Sequence, residues 1–332
     1  MHTFLQKLSR FISASITQFK LDVEFSLGLA VSRLFSEVFF RLRCEKIAIY
    51  FASIKDHKIL SFLKKEVSEI LSKYRDNTYM GTPDENSPIW ICWWTGIENA
   101  PKLVQQCIMS IISHSHNRRV VIITQNNYSE FLDIPAFFIE KVSKKQILIA
   151  HFTDYIRVSL LHKFGGLWLD ATIFCTDDIP NYCFTAPFFS CKSEAPDKRY
   201  FSKKKWTTFV LGGYRGSALF RYLQDAFECY WSKNEKAIDY LMFDHLIYLA
   251  HQTNNHFKEV IESLTPNNPN RDDLQSAMNE RQPAENFEQF LNNDTVLYKL
   301  SWREKYELTT VDGNESIYSK FLRYDFGENN DS

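Results

Sequence analysis

An α/β fold with a mostly parallel central sheet, preceded by an N-terminal helical region, is what this sequence predicts. Two patterns carry the prediction. From Pro88 onward, apolar runs of strand length alternate with stretches in which apolar residues recur every three or four positions, and strands separated by helices make a sheet covered by its own crossover connections. Before that point, residues 1–80 contain no proline and Gly28 as their single glycine, a composition that lets helices run unbroken. Material for a large core is present as well. Of the 332 residues, 45 % are apolar and 15 % aromatic, with 28 Phe and 16 Tyr, which sets the chain among folded proteins.

The elements follow in order. Phe4, Leu8, Phe11, Ile12, Ser15 and Phe19 mark one helical stripe, and Val31, Leu34, Phe35, Val38 and Phe39 another. Such helices pack on the main domain or on each other. Their Phe-rich faces, fringed by Lys7, Arg10, Lys20, Arg33, Arg41 and Arg43, also suit peripheral contact with an anionic membrane. A third helix is expected over 54–74, and the polar stretch 75–87, with Gly81, Thr82 and Pro83, reads as a linker. The organisation expected is a helical region over 1–80 and an α/β domain over 86–332. Within the second, strands are expected at 89–94, 119–124, 167–174, 188–191, 208–212 and 295–300, and helices at 101–113, 128–131, 143–164, 217–231 and 238–251.

Composition also excludes classes. Lys and Arg total 39 against 40 Asp and Glu, so the basic surplus of a nucleic-acid binder is missing. The longest stretch free of Asp, Glu, Lys and Arg, 103–117, still holds Gln, Ser, His and Asn and is too short and polar to span a bilayer. The first twenty residues make a poor secretory signal, and a cytoplasmic location is expected, at most peripheral on the inner face of the plasma membrane. Seven cysteines form no CxxC pair, which argues for buried thiols over a disulfide frame or zinc site.

Chemistry concentrates in residues 150–174, AHFTDYIRVSLLHKFGGLWLDATIF. Asp154, Arg157 and Leu161 stand at i, i+3 and i+7, so acid and guanidinium share one helical face while Ile156, Leu160 and Phe164 line the other. Gly165 and Gly166 then permit the positive φ of a helix C-cap and turn the chain into a strand. On that strand Trp168, Asp170 and Thr172 face one side. An acid at the C-terminal end of a buried strand stands where open α/β sheets place ligand-binding groups. Singly, Asp154 and Arg157 read equally well as a salt bridge and Asp170 as a turn residue. As a set they suit a nucleotide-sugar, because Mg²⁺ or Mn²⁺ on a diphosphate takes carboxylate oxygens and a guanidinium holds phosphate or sugar oxygens in pairs.

The segment DYIRVSLLHKFGGLWLDATIF resembles the core motif of the capsular polysaccharide synthesis family, a branch related to glycosyltransferase family 32 and, more distantly, to the glucosyltransferase domains of large clostridial toxins. Upstream, IWICWWTGIENAPKLVQQCIMS is similar to that family's opening strand, tryptophan loop and following helix, and a looser likeness continues through 239–250 to VLYKLSW, for coverage of about residues 50–305. The resemblance implies a GT-A fold and transfer of a sugar, with retention, from a nucleoside-diphosphate donor, UDP-sugar in most relatives, to a capsular or cell-surface glycan or lipid-linked saccharide. By the same resemblance Trp93 matches the aromatic that stacks on the donor base, Asp154 and Arg157 the pair on the donor ribose and sugar, and Asp170 the first acid of a DXD metal motif for Mn²⁺ or Mg²⁺. The second acid is replaced by Thr172, a weaker ligand for a hard cation, so Lys299 and Arg303 are alternative carriers of charge compensation.

Other groups are read from the residues alone. Asp244 and His245 interrupt the apolar run YLMFDHLIYLA and are candidates for the acceptor site. Trp302, just past the last strand, is placed to close over the diphosphate. No GxGxxG follows the first strand, whose loop reads CWWTG, which sets aside a dinucleotide-dependent oxidoreductase. The remaining alternative is a non-catalytic nucleotide-sugar or glycan-binding scaffold derived from such an enzyme, for which the missing second acid speaks.

Overall fold

Four helices open the chain in the computed structural model, which describes residues 2–194 and 201–326, with the side chains of residues 2–8 and Arg10 outside that description. Phe4, Lys7, Leu8 and Arg10 of the predicted stripe and its basic fringe therefore fall outside the described side chains. The helices are α1 (His2–Phe25), α2 (Leu27–Arg41), α3 (Glu45–Glu66) and α4 (Ser68–Tyr74). Aromatics join α2 to α3, where Phe39 stacks on Phe51 at 5.9 Å and Phe35 meets the same ring at 5.0 Å. Ile59, Leu63, Val67, Leu71 and Tyr74 continue from there into the same apolar cluster as Phe220, Leu223 and Leu246 of the α/β part. Arg33, one of the basic residues that peripheral membrane contact would put on the lipid-facing fringe, is instead largely covered in an ion triad. It donates to Asp22 at 2.6 Å and to Asp239 at 2.6 Å, tying α2 to α1 and to a loop 206 residues away in sequence.

The main sheet is built from β1 (Ile89–Cys92), β2 (Val120–Ile123), β3 (Gly166–Leu169), β5 (Phe188–Ser190) and β6 (Val210–Gly213), with β4 (Ile173–Cys175) outside it. Its order is β2-β1-β3-β6-β5. β1 lies parallel to β2 and β3, and β6 runs antiparallel to both β3 and β5, so four of the five strands point one way. Between β1 and β2 comes α5 (Lys102–Ser113), and between β2 and β3 come α6 (Tyr128–Phe131), α7 (Ala136–Ser143) and α8 (Ile149–Phe164). The helical stretch expected over 143–164, with an irregular start, is α8 preceded by the irregular residues 144–148. Beyond β6 lie α9 (Ala218–Lys233), α10 (Met242–Thr253), α11 (Asn255–Ser263), α12 (Asp273–Asn279), α13 (Glu288–Leu291), strand β7 (Leu297–Lys299) and α14 (Ile317–Leu322).

Strand alternation divides the interior into two layers. Ile89, Ile91, Leu167, Leu169 and Val210 pack with α5, α12 and α14, whereas Trp90, Val121, Trp168 and Leu211 pack with α8, α9, α10 and the N-terminal helices. Both faces are apolar because both are covered.

The strand expected over 167–174 does not run through. It stops at Leu169, residues 170–172 form a turn closed by Ile173 N–H donating to the Asp170 carbonyl at 2.9 Å, and β4 then pairs antiparallel with β7, Ile173 opposite Lys299. Asp begins turns readily because its carboxylate can accept bonds from nearby donors. Here the Trp168 indole, two residues back, donates to Asp170 Oδ1 at 3.0 Å. The break leaves Asp170 and Thr172 facing Lys299 across the two-stranded ribbon.

Candidate active site

Helix α8, the Gly-Gly turn and β3 form one continuous piece of chain, and it delivers three charged side chains to the same point. Arg157 lies one turn after Asp154, with Nη1 3.4 Å from Asp154 Oδ1. The reversal at Gly165 and Gly166 returns the chain so that Arg157 Nη2 donates to Asp170 Oδ1 at 3.1 Å. Nη1 also donates to the Thr208 carbonyl at 2.6 Å, just ahead of β6. The guanidinium sits 4.7 Å from the Trp168 ring centroid and 5.5 Å from that of Phe243, two cation–π contacts that add to its hold. Its Nε has no partner among the described residues. A buried arginine so arranged is held in place rather than left to sample rotamers.

Asp170 accepts a third bond, from Lys299 Nζ at 2.9 Å, and the same ammonium donates to Thr172 Oγ1 at 2.6 Å. Burial pushes the Asp170 carboxyl up, but the Lys299 ammonium and the Arg157 guanidinium outweigh it and hold the group below the ordinary carboxylate range. It is ionised at neutral pH, clamped between two cations. These residues line an open cleft of about 370 Å³. Trp93, just past β1, and Trp302, just past β7, line the same cleft with ring centroids 5.8 Å apart at 83°. Trp302 is 44 % exposed.

α10 contributes Asp244 to the cleft and withholds His245. Successive residues on a helix point about 100° apart, so an aspartate facing the cleft sends its neighbour inward. His245 is fully buried, stacked on Phe201 at 4.0 Å, with Nδ1 2.8 Å from the Leu241 carbonyl and Nε2 3.7 Å from Asp56. It therefore lies outside the site it was expected to join. Trp168, Thr208, Tyr240 and Phe243 were not expected as site residues and do line the cleft. Trp168 was legible two positions before Asp170 on the same strand face, whereas Thr208 acts through its carbonyl, which no side-chain pattern encodes.

Asp244 accepts from Trp206 Nε1 at 3.1 Å. Burial pushes its carboxyl up to about 6, with His245 and the indole opposing. A folded value above the ordinary 3.8 means a contribution to stability that is complete below about pH 3.8 and lost as pH rises through about 6. Asp244→Asn, which keeps an oxygen for the indole, is expected to be more stable than the parent at pH 7.5 by about 1–3 kcal/mol and no more stable at pH 4. Urea midpoints at the two pH values check this, and coincident midpoints at pH 7.5 would show that the carboxylate is unstrained.

The family model described as capsular polysaccharide synthesis protein matches residues 42–321. The chain belongs to that family. The match begins ahead of α3 and closes within α14, so the helices α3 and α4 that share the core lie inside the family's own extent. Among curated relatives, this chain is similar to the glycosyltransferase afumC of Aspergillus fumigatus, 25 % identical over an alignment 171 positions long that covers 45 % of this chain and 42 % of that protein. The chain thus matches less than half the length of that relative. Among solved structures it is similar to the PaToxG glycosyltransferase at 14 % identity and a TM-score of 0.39, over 63 % of this chain and 84 % of that one.

Proposed function

We propose that this family member transfers a sugar from a nucleoside-diphosphate donor, a UDP-sugar, to a hydroxyl of a growing capsular or cell-surface polysaccharide, on a GT-A fold. The observation that carries the reading is the clamp of Arg157, Asp170 and Lys299 at the end of β3, in one cleft with the indoles of Trp93 and Trp302. Cations aimed at one point suit the charge that develops on a departing diphosphate, and an aromatic at the cleft mouth suits the flat face of a base. In the step itself the bond from the sugar C1 to the phosphate oxygen breaks, and its electron pair stays on that oxygen. The acceptor hydroxyl oxygen bonds C1 on the same face, and its proton passes to the departing diphosphate. Retention follows without an enzyme nucleophile. Asp154 and Arg157 are assigned to the donor sugar, and Asp244 to the acceptor hydroxyl.

Calorimetric titration of the full chain with UDP, GDP, ADP and CDP tests this. UDP is expected to bind, and Trp93→Ala to weaken it by about tenfold or more, the scale of one base–aromatic stack. Tight binding of another nucleotide would reassign the base. Binding of none by a folded chain would favour the non-catalytic scaffold, the reading that Thr172 in place of a second acid supports.

We place the protein against the inner face of the membrane through its first helices. Residues 1–66 hold eleven Lys and Arg against six Asp and Glu, and Ile12, Ile16 and Val23, spaced to share one face of α1, are exposed. No described helix is long and apolar enough to cross a membrane, so contact would be lateral. The chain is expected to co-sediment with vesicles rich in anionic lipid, and the double substitution Ile12→Glu and Ile16→Glu to abolish this. Recovery of the parent in the supernatant would refute the placement.

A further inference from the structure

We infer that the cation facing the diphosphate in this protein is the Lys299 ammonium and not a divalent metal ion. The inference rests on the nucleotide-site reading above and concerns its charge chemistry. A metal at the turn after β3 would use Asp170 as its carboxylate ligand and Thr172 as the neighbouring oxygen. Lys299 Nζ already bridges those two side chains, at 2.9 Å from Asp170 Oδ2 and 2.6 Å from Thr172 Oγ1. Asp170 Oδ1 in turn accepts from Arg157 and from the Trp168 indole. A carboxylate offers about four lone-pair sites, and three are taken by N–H donors.

The donor set is also wrong for such an ion. Mg²⁺ and Mn²⁺ are octahedral and draw on carboxylates and waters, yet among the described residues no group of three His, Cys, Asp or Glu is arranged to hold a metal. A positive charge within hydrogen-bond distance of both candidate ligands repels a second cation. The lysine is there by construction, because β4 and β7 pair with Ile173 opposite Lys299, which hangs the side chain over the turn. Its ammonium also lies 5.1 Å from the Phe209 ring centroid. An ammonium has three N–H donors. Two are spent on Asp170 and Thr172, and the third remains for a phosphate oxygen in the cleft that Lys299 lines. Thr172, receiving from the ammonium, can donate its own proton onward. Arg303, on the same cleft, supplies a second positive charge.

The test is UDP affinity of the full chain, measured in EDTA and again with excess Mn²⁺ or Mg²⁺. The dissociation constant is expected to agree within about twofold across the three buffers. Lys299→Met should weaken UDP by about thirtyfold in all of them, the scale of a lost charge-assisted hydrogen bond. Lys299→Arg should restore most of the loss, which separates a missing charge from a damaged ribbon. Tightening of tenfold or more on adding metal to the parent chain would overturn this inference and leave the transferase reading standing. So would Lys299→Met binding UDP as the parent does. Failure of all four nucleotides to bind, with or without metal, would overturn both.

Discussion

Asp170→Asn is expected to lower transfer by about a hundred- to a thousandfold and, at neutral pH, to cost about 2 kcal/mol of stability. The two effects have one origin. The carboxylate is the shared counter-charge of Arg157 and Lys299, at 3.1 and 2.9 Å, and it aims both toward the cleft. An amide keeps the shape but presents an N–H₂ group to donors that already point inward, leaving one cation to Asp154 and the other to the Thr172 hydroxyl. The stability cost has a predicted pH signature. Asp170 titrates below its ordinary 3.8 when folded, so its contribution is present above about pH 3.8 and fades as pH falls through the lower folded value. Denaturant midpoints of parent and variant should therefore differ at pH 7 and draw together as pH falls below 3.8 through the lower folded value, with turnover measured alongside. Unchanged turnover would remove Asp170 from the reaction, and an unchanged midpoint would mean that the cations are neutralised elsewhere.

Gly166→Ala is expected to be the most damaging single-atom change in the chain, at about 3–5 kcal/mol. Gly166 has φ +96°, and an added Cβ would stand 2.1 Å from the Pro88 carbonyl oxygen. That oxygen accepts from Leu167 N–H at 3.0 Å, so it cannot withdraw without opening the junction of β1 and β3. Gly165 is equally confined, at φ +67° with a Cβ position 2.6 Å from the Arg215 nitrogen. Its own carbonyl accepts from the Trp90 indole at 2.9 Å. The pair therefore sets both the turn and the placement of Asp170 four residues on. An unfolding free energy within about 0.5 kcal/mol of the parent's, from denaturant titration, would refute the strain argument.

The local chemistry of the site was written in short-range spacing. Asp154 and Arg157 one helical turn apart, a Gly-Gly reversal and an acid on the following strand all fall within 25 residues, and each step obeys a helix or strand periodicity. The same reasoning misplaced His245, because a charged or polar pair in an apolar run does not reveal which member faces the cleft. It carried the strand past Asp170, because 167–174 is apolar enough to continue and the turn depends on where β7 lies. The helices Asn255–Ser263 and Ile317–Leu322 were not individually expected either, since fewer than three turns give a helical period little room to repeat.

By itself, then, the sequence determined the α/β alternation, the helical N-terminal region and the Asp-Arg-Gly-Gly-Asp core, all of which rest on contacts between near neighbours in the chain. Only the tertiary structure decided that Lys299, 129 residues beyond Asp170, closes the clamp, and that Arg33 is spent inside an ion triad instead of facing solvent. Pairings of that kind depend on how sheet, ribbon and helices pack against one another. A lysine reads the same in the sequence whether water or a carboxylate stands beside it.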